Sequence, residues 1–258
     1  MGLLIFGVIL FVIILLHEAG HLIMAKKYGV RVKTYSIGFG PRIIGIKFYK
    51  KNYSIRIGKF MPTNSKVWFR KDNTEYRIAP IPLGGFCSLE GELKGTGKSY
   101  ELASKPFIQK LQIALAGVVT NIITGMLVLF GIGIKHNDFI TGIKLTAQMI
   151  YQTVVALAVA LSQAFSGGLE ISTASDVNQI MTGISFEIVL LYFGIFSIVM
   201  ALVNAIPFPA LDGSLPFLWI LEKITKGKIS KQLYLVWFMG FVVLMILQVV
   251  ILYFWIFG

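Results

Sequence analysis

Apolar residues are not scattered along this chain but gathered into runs, at residues 3–27, 107–134, 188–206 and 233–257. Each run is close to or above the ~20 residues that a helix needs to cross a bilayer. The pattern predicts four transmembrane helices. Residues 143–165 are long enough to span, yet carry Thr146, Gln148, Gln152, Thr153, Ser162 and Gln163. That stretch reads as an interfacial or re-entrant helix, with a crossing helix as the alternative. Residues 30–93 differ in kind. Tyr53 to Ile57 alternates polar and apolar, and Gly38, Gly40, Pro41, Pro80, Pro82, Gly84 and Gly85 mark turns and edges, so a small sheet is expected there. It is either a membrane-associated β-region able to take up an extended peptide at an edge, or a structural cytoplasmic hairpin. The predicted fold class is therefore an α-helical integral membrane protein, with four transmembrane helices, a β-region after the first, and an interfacial or re-entrant helix before the third.

Composition supports a membrane protein: of 258 residues 56% are hydrophobic and only 14% charged. The net charge of +12 would suit nucleic acid if it were spread over a soluble face. It is not. Eighteen of the 24 Lys and Arg lie between Lys26 and Lys110, and four more between Lys223 and Lys231. Those segments are predicted to be cytoplasmic by the positive-inside rule, and no nucleic-acid partner is expected. Residues 167–187 contain no Lys or Arg and three acids, which suits the outer face. Cys87 is the sole cysteine, so there is no internal disulfide and no multi-cysteine metal site. The opening run lacks a basic start and a small-residue cleavage site, and reads as a retained span, not a signal peptide.

That opening run carries His17, Glu18 and His21 where a span normally carries aliphatic residues. Ionisable groups at such depth are costly unless they meet a partner or a cavity, and so point to function. Residues four apart share a helix face. His17 and His21 can thus present imidazoles to one metal ion with Glu18 beside it, the H-E-x-x-H arrangement in which the glutamate is the general base. A third ligand must come from elsewhere. Residues 204–213 read Asn-Ala-Ile-Pro-Phe-Pro-Ala-Leu-Asp-Gly, in which two prolines break the helix and set Asp212 on irregular backbone beside a span. Asp212 is the expected third ligand; a helix-ending turn at the cytoplasmic surface is the plainer alternative. If the first span runs from outside to inside, the histidines lie toward its cytoplasmic end. Asp212 then shares their side only if residues 143–165 do not cross. The expected topology is four spans with both termini outside. Asn121, in the second run, is either interhelical glue or directed at the active site.

These residues resemble the site-2 protease family of intramembrane zinc metalloproteases, and within it the bacterial regulator of sigma-E protease group. HEAGH, YSIGFGP, IAPIPLGGF, ALAGVVTN and NAIPFPALDG stand in the family's order over most of the chain. The resemblance implies Zn2+ held by His17, His21 and Asp212, Glu18 as the catalytic residue, and substrate contacts from Asn204 and from Gly84 and Gly85 of the β-region. Three departures stand out. Val118 replaces a proline of the family's pattern, and Ser214-Leu215 replaces a Gly-His that follows the aspartate. Residues 135–187 are too short and too apolar for the PDZ domain of the sigma-E group. A single intramembrane protease domain is expected, in a bacterial cell membrane with its active site toward the cytoplasm. It would cleave single-span membrane proteins or signal-peptide remnants, as in regulated intramembrane proteolysis. The rival from another class is a non-catalytic zinc- and peptide-binding membrane protein, or a transporter, although neither inverted repeats nor a path of intramembrane acids is visible.

Overall fold

A computed structural model describes residues 2–48, 53–57, 74–92, 95–166, 174–209, 211–225 and 239–240. The expected last span, residues 233–257, lies outside them except at 239–240. Contacts divide the chain into two compact units, Ile14–Thr120 and Met1–Ile13 with Asn121–Gly258.

The Ile14–Thr120 unit begins inside helix α1 (Gly2–Lys27) and holds the expected sheet. Its strands are β1 (Val32–Phe39), β2 (Ile44–Phe48), β3 (Tyr53–Ile57), β4 (Glu75–Ile78) and β5 (Ile81–Leu89). Their order is β3-β2-β4-β1-β5, with β1 parallel to β4 and every other pairing antiparallel. Among the described residues β5 is therefore an edge strand. The register pairs Tyr35 with Cys87 and Ile37 with Gly85. Directly opposed residues share a sheet face, and this face meets α1: the Tyr35 hydroxyl donates to the Leu15 carbonyl at 2.9 Å.

The second apolar run departs from expectation. Instead of one helix over residues 107–134, the chain forms α2 (Phe107–Ala114) and α3 (Ala116–His136), separated at Leu115. Leu115 sits at φ −93° and ψ 1°, outside the helical basin. Pro106 precedes α2 as its N-cap, where a missing N–H costs the helix nothing. The break has a use, since it leaves the Ile113 carbonyl facing α1; in an unbroken helix it would point along the axis at the amide of residue 117.

In the other unit α3 continues against α6 (Phe186–Asn204). Ser197 Oγ donates to the Asn121 carbonyl at 2.9 Å, and Lys135 Nζ lies 3.4 Å from Glu187 Oε2. Gly125 and Gly194 let the backbones touch between these points, for a Cβ on Gly125 would stand 2.9 Å from the Gly194 carbonyl oxygen. Residue numbers rise on one helix as they fall on the other, so α3 and α6 are antiparallel. Asn121, read as either glue or active-site group, belongs to this helix contact through its main chain. The first turns of α1 join the same unit, with Phe6 edge-on to Phe196 at 5.5 Å and the Leu3 amide donating to Asn178 Oδ1 of α5 (Ala174–Met181) at 3.3 Å.

Residues 143–165 fall within α4 (Phe139–Ser166), of which Phe139–Ala160 is long and apolar enough to cross a membrane. Its hydroxyls do not oppose this, because Thr146 and Thr153 return theirs to the carbonyls of Gly142 and Met149, each at 2.8 Å. Four described helices meet the length and hydropathy of a span: those in Gly2–Lys27, Ala116–Lys135, Phe139–Ala160 and Phe186–Asn204. Three of them overlap spans expected from the sequence, and the remaining expected span, residues 233–257, lies outside the described residues except at 239–240. After α6 the chain turns through Pro207 and Pro209 into α7 (Ser214–Ile224).

Candidate metal centre

Helix α1 places His17 and His21 one turn apart, and both are buried, at 5% and 8% exposure. His21 Nδ1 donates to the Ile113 carbonyl at 2.8 Å, the group turned toward it by the break at Leu115. That bond fixes the tautomer. Nε2 of His21 keeps its lone pair, and lies 3.4 Å from Nε2 of His17. Two ring nitrogens so placed need a proton or a cation between them. A tetrahedral zinc with Zn–N bonds of ~2.0–2.1 Å holds its ligand nitrogens about 3.3–3.4 Å apart. The pair therefore fits zinc without rearrangement.

Gly117 makes room for that pair. A Cβ there would stand 2.6 Å from His17 Nε2 and collide with His21 Nε2. Gly20 acts from the other side, where a Cβ would lie 2.7 Å from the Ala116 carbonyl oxygen. The two glycines bring α1 and the start of α3 close together, as small residues do between membrane helices.

Glu18 projects toward the sheet. A Cβ on Gly85 would stand 3.2 Å from Glu18 Cγ and 2.8 Å from the Ser36 carbonyl oxygen, so only glycine fits where β5 passes this carboxylate. Gly84 faces the other way, onto the Phe39 ring. Of the two glycines expected to contact substrate, Gly85 thus adjoins Glu18 and Gly84 adjoins an aromatic side chain of β1. Burial pushes the Tyr35 hydroxyl up to about 12, and the negative charge of Glu18 adds to the effect. The Cys87 thiol is pushed up by the same two causes in the same order, which keeps it protonated and unreactive.

Asn204 and Asp212 lie on one closed loop. The Gly213 amide donates to the Asn204 carbonyl at 2.8 Å, and the Asn204 side chain donates to the Met200 carbonyl at 3.0 Å. A Cβ on Gly213 would stand 2.7 Å from the Ile206 carbonyl oxygen, so this closure requires glycine next to Asp212. The roles of Ile113, Leu15 and Gly85 depend on main-chain contacts between distant segments, and had no signal in residue spacing. Gly117 had one, as a small residue within a span.

Comparison with known proteins decides the family. A sequence model of peptidase family M50 matches residues 5–61 and 61–247. The chain belongs to peptidase family M50. This bears out the resemblance to site-2 proteases. Among curated M50 relatives, zinc metalloprotease Rip1 of Mycolicibacterium smegmatis is 28% identical over 138 residues, covering 52% of this chain and 29% of its own length. Rip1 of Mycobacterium bovis is 25% identical over 138 residues, covering 52% and 28%. A relative from Borreliella burgdorferi is 32% identical over 141 residues, covering 49% and 27%. The matched part is thus under a third of each relative's own length.

Proposed function

We propose that this M50 chain is an intramembrane zinc metalloprotease in which His17, His21 and Asp212 hold the metal and Glu18 is the general base. The 3.4 Å separation of the two imidazole Nε2 atoms carries the reading. Among the described residues, these three side chains make a group that could hold a metal ion, each offering one ligand atom. Zinc in that position supplies Lewis acidity toward the scissile carbonyl and the attacking water. Glu18 takes the proton from that water and delivers it to the leaving amine. The Ile113 carbonyl holds the His21 ring in one tautomer and one orientation throughout.

The substrate on this reading is the transmembrane segment of a single-span protein or a signal-peptide remnant. A helical substrate hides its carbonyls in its own hydrogen bonds and must unwind first. Strand β5 can hold the unwound part by strand addition, because it is the edge of the described sheet and passes Glu18 at Gly85.

The active site faces the cytoplasm on this reading, since basic residues follow α1 directly. Because α3 and α6 are antiparallel, the intervening chain returns to the end it left. Helix α4 starts there, with the Gly142 carbonyl oxygen 3.0 Å from where a Cβ on Gly133 would stand, and α5 lies beside Leu3. The 28 residues of α4 extend ~42 Å, whereas residues 167–173 can bridge no more than about 28 Å back to α5. An oblique or interfacial α4 satisfies both limits; one standing upright across the bilayer does not.

The test is Glu18→Gln in purified, reconstituted protein. Zinc should stay bound while cleavage of a model single-span substrate is lost. Full cleavage by that variant would refute the mechanism, and zinc without cleavage in the unaltered protein would favour the non-catalytic rival.

A further inference from the structure

On the sheet face turned away from α1, three side chains form one stack. The Phe39 and Phe86 rings lie 6.3 Å apart and nearly parallel, at 13°, and the Arg77 guanidinium sits 4.8 Å from the centre of Phe86. Register puts Arg77 and Phe86 on this face, since both stand opposite Ser36, next to the residues that meet α1. Phe39 reaches the same face through the register shift between Ile37 and Phe39, where Gly38 takes φ 87°. Both rings are half-buried.

We infer that Phe39 and Phe86 are specificity-determining residues for the substrate strand. They select bulky apolar side chains, aromatic or β-branched, at two positions that flank the substrate residue facing Glu18. The inference rests on the reading of β5 as the strand that takes up unwound substrate.

A strand added to β5 sets its residues opposite those of β5 and on the same faces. The residue opposite Gly85 shares the face on which Glu18 Cγ lies. Its two neighbours point the other way, one opposite Phe86 and one opposite Gly84. The first meets the Phe86 ring as a cross-strand pair. The second stands across bare backbone, where the Phe39 ring fills the space that a Cβ on Gly84 would take. Each position thus offers an aromatic surface, and aromatic–aromatic and aromatic–β-branched pairs are favourable across strands. The same residue types suit an extended, half-buried chain, so the choice favours segments that hold β form once unwound. Arg77 does not draw an acidic residue to these positions. It stands on β4, with β1 between it and β5, its cation over Phe86 and its Nε donating to the Ser36 hydroxyl at 3.0 Å. Its effect is to fix the Phe86 ring.

The test is a double-mutant cycle on the full-length protein in nanodiscs. Residues around the mapped scissile bond of a model single-span substrate are changed in turn to Phe, Ile, Glu or Ala, and kcat/KM is compared. Phe and Ile should be preferred over Ala by about threefold at two positions separated by one residue. Phe86→Ala should remove the preference at one of them, through KM, and Phe39→Leu should weaken it at the other; the coupling, not the loss of rate, identifies the pair. Should Phe86→Ala fail to fold, Phe86→Leu keeps the bulk without the ring and should lower the preference for Phe relative to Ile. Binding of labelled extended peptides to Glu18→Gln protein reads the same coupling without catalysis. Additive effects of protein and substrate changes, selection at two adjacent residues, or selection of Glu would each overturn the inference and leave the protease reading intact. No cleavage by the unaltered protein, with coupled binding to the Glu18→Gln protein retained, would overturn the protease reading alone.

Discussion

Replacing Gly117 with alanine sets two measurable effects against each other. Within a helix, Gly→Ala gains about 0.8–1 kcal/mol of intrinsic propensity. Here the new methyl would stand 2.6 Å from His17 Nε2, while ordinary contact begins at 3.4 Å. One ring must give by roughly 0.8 Å, about four times the ±0.2 Å within which metal–ligand distances hold. His21 has little freedom to retreat, since its Nδ1 is bonded to Ile113. Overpacking of this kind costs about 1–3 kcal/mol. The metal-free protein should therefore melt no higher than the unaltered one, the propensity gain offsetting only part of an overpacking cost that leaves up to about 2 kcal/mol of net loss. Zinc binding has no such compensation and should weaken at least tenfold, about 1.4 kcal/mol. Competition with a chelator of known affinity reads the loss, and melting with and without zinc separates it from folding. Gly131→Ala is the control, where no neighbour opposes the propensity gain. A Gly117→Ala protein that holds zinc as tightly as the unaltered one and melts higher would refute the geometry of the site.

Other expectations follow from the same contacts. Asp212→Asn should lower zinc retention by tenfold or more without unfolding the sheet, checked by metal analysis together with circular dichroism; unchanged retention would remove Asp212 from the ligand set. Tyr35→Phe should cost about 1 kcal/mol through the lost bond to the Leu15 carbonyl, measured by denaturant unfolding. The Tyr35 hydroxyl is raised from 10 to about 12 in the folded protein, so its contribution is complete below pH 10 and is lost as pH rises through 12. The variant should lack that alkaline component, which a comparison of melting temperatures at pH 9 and pH 11 would show. With its thiol pushed up by burial, Cys87 should react with a neutral-pH alkylating agent at least tenfold more slowly in the folded protein than after denaturation.

The ligand chemistry was legible because it is local. Two histidines at i and i+4 in an apolar run announce a shared face, and the sheet announced itself by alternation and by Gly and Pro at its turns. Helix ends were less legible. The break at Leu115 has no proline or glycine at the residue itself, and arises where the chain passes the buried His21 ring. For α4, the sequence left an interfacial and a crossing helix both open, and because two threonines satisfy themselves on their own backbone, residue types alone do not choose between them. Gly85 illustrates what spacing cannot show: its need for glycine comes from Glu18, sixty-seven positions earlier, and from Ser36 across a strand pair.

Zinc K-edge absorption on the purified, membrane-reconstituted protein tests the metal centre most directly. One zinc per chain is expected, with two imidazole nitrogens and a carboxylate oxygen at about 2.0–2.2 Å, and with loss of the imidazole signal in His17→Ala. A chain that binds no zinc under these conditions, or one whose zinc shows a sulfur neighbour near ~2.3 Å, would contradict it.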